Sequence, residues 1–246
     1  MYPFYKKNEL NFSLILIMAY VVSLSLADSL SASLGILKII TAPICILFTV
    51  FLLFFIKKLN LWEYYGLCSF QGKLSDYLYF IPLIFILSVN LWNGIAWNTS
   101  ILETVLFTIS MLGVGFIEEI IFRGFLFKAL CKDNIKLAIF ISSITFGMGH
   151  IINLLNGKTL ISTLLQICYA TAIGFLFTIL FYKGKSLWPC IITHGIVNSL
   201  SILSVNHSSF IRSVITTALL SIIALAYALW IIKKTEKFDD ENRDRL

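Results

Sequence analysis

Apolar residues run along this chain in blocks of about 20, separated by short polar breaks. A helix needs about 20 predominantly apolar residues to cross a hydrocarbon core of ~30 Å. Eight blocks approach or exceed that length, at about 12–34, 36–56, 77–97, 101–130, 134–154, 159–182, 186–205 and 210–232. The pattern predicts an all-α, polytopic integral membrane protein of about eight transmembrane helices. The longest internal break, 57–76, carries Lys57, Lys58, Glu63 and Asp76. It also carries Trp62, Tyr64 and Tyr65, whose amphipathic rings suit a membrane interface. Pro189 opens the seventh block, as suits the first turn of a helix. No repeat or low-complexity stretch divides the chain. Residues 1–246 therefore read as a single transmembrane domain, with a charged tail at 233–246.

Composition strengthens this reading. Hydrophobic residues make up 59% and charged residues 13% of the chain, against about 45–50% and about 25% in soluble domains. Mean hydropathy is +0.90. The formal net charge of +6 does not point to nucleic acid, because the lysines lie in small groups between apolar blocks, without interleaved aromatics. Their distribution gives an orientation. With a cytoplasmic N-terminus, Lys6, Lys7, Lys57, Lys58, Lys73, Lys128, Lys132, Lys136, Lys183, Lys185, Lys233 and Lys234 all fall inside, and Lys38, Lys158 and Arg212 fall opposite. Both termini are then cytoplasmic, and the expected location is a bacterial cell membrane, crossed many times. Lys6 and Lys7 before an apolar run imitate a secretory signal, but the run to Leu34 is long for one. Cys45, Cys68, Cys131, Cys168 and Cys190 form no CxxC and read as reduced thiols.

The candidate chemistry lies in charges placed inside the apolar blocks. A charge at mid-bilayer costs ~2.5–3.5 kcal/mol on insertion scales, so such residues pair with one another or line cavities. Glu119 and Arg123 are four apart, share a helix face and are expected to pair. Glu118, ~100° around the helix from Glu119, is expected to point elsewhere and remain available. His150 lies in a second block. His194 and Asn198, again four apart, lie in a third. In a bundle these clusters are expected to meet in the interior at similar depth. Asp28 stands in the first block with no partner evident from the sequence, and His207 reads as a loop residue. Two chemistries are open to one carboxylate and two imidazoles. Glu118 and His150 can deprotonate a water, with His194 and Asn198 donating hydrogen bonds to an oxyanion. Alternatively, Glu118, His150 and His194 can ligate Zn²⁺ and leave a position for water. HExxH, the common zinc-protease arrangement, is absent.

At these residues the chain resembles the CPBP family, also called the Abi or type II CAAX-protease family. Glu118, Glu119 and Arg123 match its EExxxR motif, Phe146 and His150 match FxxxH, and His194 and Asn198 match HxxxN, all in the family's order. The motif-bearing core is about 101–205. The resemblance implies an eight-helix intramembrane endopeptidase, without a metal cofactor, acting on membrane-associated peptides or proteins. Glu118 and His150 would activate water, His194 and Asn198 would hold the oxyanion, and Glu119 and Arg123 would support them. Cleavage is expected near the cytoplasmic half of the bilayer. The other readings weighed are a zinc-dependent version of the same protease, a non-catalytic membrane immunity or binding protein on the same scaffold, and a small ion-coupled transporter.

Overall fold

The computed structural model describes residues 2–68, 80–92, 94–205 and 209–243, with side chains to Lys234. It is helical, and the described residues form no strand, only an isolated bridge between Ile95 and Ser204. The helices are α1 (Tyr2–Lys7), α2 (Glu9–Ser33), α3 (Thr41–Lys58), α4 (Leu83–Leu87), α5 (Ile101–Leu130), α6 (Ile135–Gly149), α7 (Leu160–Gly184), α8 (Trp188–Leu200) and α9 (Phe210–Arg243). Their starts follow from capping chemistry. The side chains of Asn8, Asn134 and Thr159 accept from backbone N–H groups of the first turns of α2, α6 and α7. Ser100 and Glu103 form a reciprocal capping box at α5. Pro189 sits in the first turn of α8, where its missing N–H costs nothing.

Six helices are long and apolar enough to cross a membrane: α2, α3, α5, α7, the Phe210–Lys234 part of α9, and α6 extended by a 3₁₀ turn to Leu154. The block at 186–205 becomes a shorter apolar helix, Trp188–Leu203. The block at 77–97 differs from expectation. Its residues 77–79 and 93 lie outside the described residues, and the described ones hold only α4, 3₁₀ turns including Val89–Leu91, and non-helical chain. Two local features accompany the break. Asn90 turns its amide to the carbonyl of Val197 in α8, and Gly94 adopts a φ of 101°, which a helix does not allow. The outer faces of the long helices carry exposed Leu14, Met18, Leu47, Phe54 and Ile222, as suits lipid contact.

The two ends of the bundle differ. At one end Lys132 pairs with Glu9 at 2.8 Å, Lys128 lies over the rings of Tyr64 and Phe181, and Trp188 Nε1 donates to the carbonyl of Leu67. Tyr5 and Tyr65 share a hydrogen bond of 2.8 Å there, and burial pushes the nearby Tyr64 phenol up to about 12. This is the lysine-rich end. At the other end Leu37 N–H donates to Glu103, Ala96 N–H donates to the carbonyl of Leu203, and Asp28 meets Lys38.

α5 is the central helix, packed along α3 and α8, while α7 packs on α6 and α9. Residues Ile117, Ile120 and Ile121 of α5 are fully buried. The crossing of α5 and α8 is set by two glycines. A Cβ on Gly115 would lie 2.5 Å from the backbone nitrogen of Gly195 and 2.7 Å from its Cα. Membrane helices use small residues in this way to bring backbones together. Gly115→Ala is expected to force the two helices apart and to lower stability by about 1–3 kcal/mol. Thermal unfolding of the detergent-purified protein checks this. An unchanged midpoint would mean that the crossing tolerates a side chain.

Candidate active site

Three helices supply the motif residues, and the crossing of α5 and α8 brings two of them together. Immediately after Glu119, α5 widens to i→i+5 hydrogen bonding over Ile120–Leu126. Such widenings are rare and favour functional sites. Glu119 and Arg123 have no exposed side-chain surface and pair at 3.0 Å, as the four-residue spacing predicts. The same carboxylate oxygen, Glu119 Oε1, lies 2.8 Å from His194 Nδ1. A carboxylate there calls for a proton on Nδ1. The Arg123 guanidinium lies over Phe146, 4.0 Å from the ring centre, with Phe177 farther off at 5.7 Å. Phe146 in turn meets the rings of His150 and His194 edge-on, with centroids 5.7 Å away in both cases. The Phe of the second motif is thus the piece of packing that touches all three motifs.

Glu118 behaves differently from its neighbour. Its Oε1 accepts from the Tyr20 hydroxyl at 2.6 Å, and its Oε2 lies 3.6 Å from His194 Nε2. That separation is too long for a direct hydrogen bond. Glu118 also lines a cavity, so one paired and one accessible carboxylate are indeed present. The two carboxylates point in different directions, as the helix geometry predicts, but both border the same imidazole. His194 lies between them, with one ring nitrogen toward each.

His150 begins the 3₁₀ turn that ends α6, and its Nδ1 lies 3.3 Å from Gln166 Nε2 in α7. Gln166 Oε1 is occupied by Asn153 Nδ2 at 2.9 Å and Lys158 Nζ at 3.3 Å. These two donors define the orientation of the amide. Its N–H then donates to Nδ1, so the neutral ring carries its proton on Nε2. Desolvation, and secondarily Lys38, hold the Lys158 ammonium below the usual lysine value.

Glu118, His150, His194 and Asn198 all line one cavity of about 680 Å³. Asp28 and Lys38 line it too. Asp28 takes Lys38 Nζ on both oxygens, at 2.7 and 2.9 Å, together with the Thr41 hydroxyl. The partner that the sequence did not reveal is therefore Lys38, whose left-handed backbone (φ 62°) follows the turn after α2. Among the described residues, no group of three or more His, Cys, Asp or Glu side chains is arranged to hold a metal ion. Each Nδ1 is engaged, on Glu119 for His194 and on Gln166 for His150. The Glu118, His150 and His194 set considered for zinc does not form such a group. His207 lies outside the described residues.

Tyr20, Gln166 and Lys38 belong to the site and were missed from the sequence. Gln166 left a trace as a lone amide in an apolar block, whereas Tyr20 is an ordinary aromatic among aliphatics.

A family model described as type II CAAX prenyl endopeptidase, Rce1-like, matches residues 99–200, a stretch that holds all three motifs. No curated protein and no solved structure matches the chain.

Two substitutions test the contacts just described. Tyr20→Phe removes one hydrogen bond from Glu118, so it is expected to cost about 0.5–1.5 kcal/mol of stability, read as a lowered unfolding midpoint. Glu119→Gln leaves Arg123 buried without its counter-charge and is expected to cost about 3–5 kcal/mol. A Glu119→Gln protein as stable as the wild type would overturn the role given to the pair.

Proposed function

We propose, starting from the Rce1-like domain at residues 99–200, that this chain is an intramembrane endopeptidase that hydrolyses peptide bonds of membrane-associated peptides or proteins. The observation that carries the reading is the meeting of Glu118, His150, His194 and Asn198 on one cavity within that segment.

Glu118 is the general base. Tyr20 occupies Oε1, so Oε2, on the His194 side, takes the proton from water as its oxygen attacks the scissile carbonyl carbon. His150 holds the water, its ring steadied by Gln166. The carbonyl oxygen becomes an oxyanion, received by donors from His194 Nε2 and the Asn198 amide. Glu119, accepting from His194 Nδ1, stabilises the charged form of the ring that such donation needs. When the C–N bond breaks, Glu118 returns its proton to the leaving amine. The balance is one water consumed, with one carboxylic acid and one amine formed, which then exchange a proton to become carboxylate and ammonium. Glu119 and Arg123 position His194 and do not touch the substrate. Lipid and a membrane-associated peptide are the partners this chemistry requires, and no step is routed through a metal.

The test is cleavage of a membrane-associated peptide library by purified wild type and Glu118→Gln, with and without chelator. Removing a general base typically costs 10²–10⁴-fold, so a loss of about that size in turnover is expected, with unchanged unfolding. No cleavage by the wild type would sink the protease reading in favour of a binding or immunity role. Chelator-sensitive cleavage would favour the zinc version. Asn198→Ala is expected to lower turnover by about 10²–10³-fold, as loss of an oxyanion donor does, with little change in KM. An equal rise in KM would make Asn198 a binding residue instead.

A further inference from the structure

The cavity runs from one end of the bundle to a little past its middle. α5 contributes Phe107, Met111, Val114 and Glu118 to its wall and nothing beyond Glu118. α9 contributes only Thr216, Thr217 and Leu220, near its start. α6 contributes Phe146 and reaches the cavity again through His150, at its far end. Most of these positions lie on the side of the loops at 34–40, 94–100 and 155–159, while Glu118 and, on α7, Phe177 sit past the middle of their helices and mark the inner limit of the cavity. The remainder is solid. Arg123, Phe127 and Phe181 have 0%, 1% and 2% exposure and fill the interior between Glu118 and the lysine-rich end. The rim at the open half carries Lys38, Asn156 and Lys158.

Cationic side chains label the two ends. The closed end carries Lys57, Lys58, Lys128, Lys132, Lys183 and Lys185, among others, while the open end carries Lys38, Lys158 and Arg212. Lysine and arginine in short loops mark the cytoplasmic side. We infer that the cavity opens away from the cytoplasm, so that its substrates are extended peptide segments lying in the outer half of the bilayer or beyond the outer surface. The walls suit such a ligand, because the Asn156 amide and the side-chain carbonyl oxygens of Asn90 and Asn153, whose N–H groups are engaged within the protein, can meet a peptide backbone. This access face differs from the sequence expectation of cleavage near the cytoplasmic half of the bilayer. The access face stands on the cavity and the charges alone, whereas the substrate class rests on the protease reading.

The test has two arms. In intact cells expressing the full chain with Asn156→Cys, a membrane-impermeant maleimide is applied and labelled sites are read by mass spectrometry. Position 156 lies on the rim, and the native Cys131 at the closed end is the internal control. At least 10-fold more labelling of the introduced rim cysteine than of Cys131 is expected, with Cys131 reacting only after permeabilisation. The reverse order overturns the inference. Ser209→Cys, at the same end, repeats the measurement if the first variant does not accumulate. The second arm uses two single-span reporters carrying one cleavable sequence on the outer or the inner flank. Glu118-dependent cleavage of the outer-flank reporter alone supports the substrate class, and cleavage of the inner-flank reporter alone overturns it. External labelling with neither reporter cleaved would uphold the access face and remove the protease reading.

Discussion

A single buried carboxylate oxygen, Oε1 of Glu119, holds this structure's interior together. It takes Arg123 from one turn along its own helix and His194 from another helix, and neither Glu119 nor Arg123 has any exposed side-chain surface. In hydrocarbon an uncompensated charge is costly, so the three groups hold one another in place. Much of the surrounding packing follows. Phe146 offers its face to the guanidinium and its edges to both imidazoles. Gly115 and Gly195 remove the side chains that would keep α5 from α8. The widened turn of α5 at 120–126 falls on Arg123 itself. Two adjacent glutamates consequently acquire different environments, one sealed and charge-balanced, the other bordering a cavity and held by a phenol.

Much of the membrane architecture was legible because it depends on short-range statistics. Apolar run length located the six helices long and apolar enough to cross a membrane to within a few residues, and the caps Ser100, Asn134 and Thr159 mark where three of them begin. The block at 77–97 misled because average hydropathy does not register one amide seeking a carbonyl or one glycine taking a positive φ. Within the site, the Glu119–Arg123 pair was legible from local helix geometry. The convergence of the three motifs was inferred from the cost of exposing polar groups to lipid, which is a global constraint and therefore readable without coordinates.

What stayed hidden were the contacts between distant helices. Tyr20 and Glu118 are 98 residues apart, and Gln166 and His150 are 16 apart across a turn. Nothing in the spacing of either pair distinguishes it from many others. Asp28 and Lys38 are only ten apart, yet their meeting depends on a turn in which Lys38 adopts a left-handed backbone. The sharing of His194 between Glu118 and Glu119 was hidden for a different reason. Angular separation on a helical wheel describes where side chains leave the axis, not where long flexible ones end.

The hydrogen bond from Tyr20 to Glu118 carries a consequence for the boundaries of the functional unit. The segment with the recognisable motifs does not contain all of its own chamber. One wall comes from α2 and the turn after it, through Tyr20, Asp28 and Lys38, and another from α9, through Thr216, Thr217 and Leu220. These flanking helices carry none of the motif signature, yet they line the chamber that Glu118 borders. Exchanging α2 or α9 would then change the chamber wall while leaving the three motifs in place.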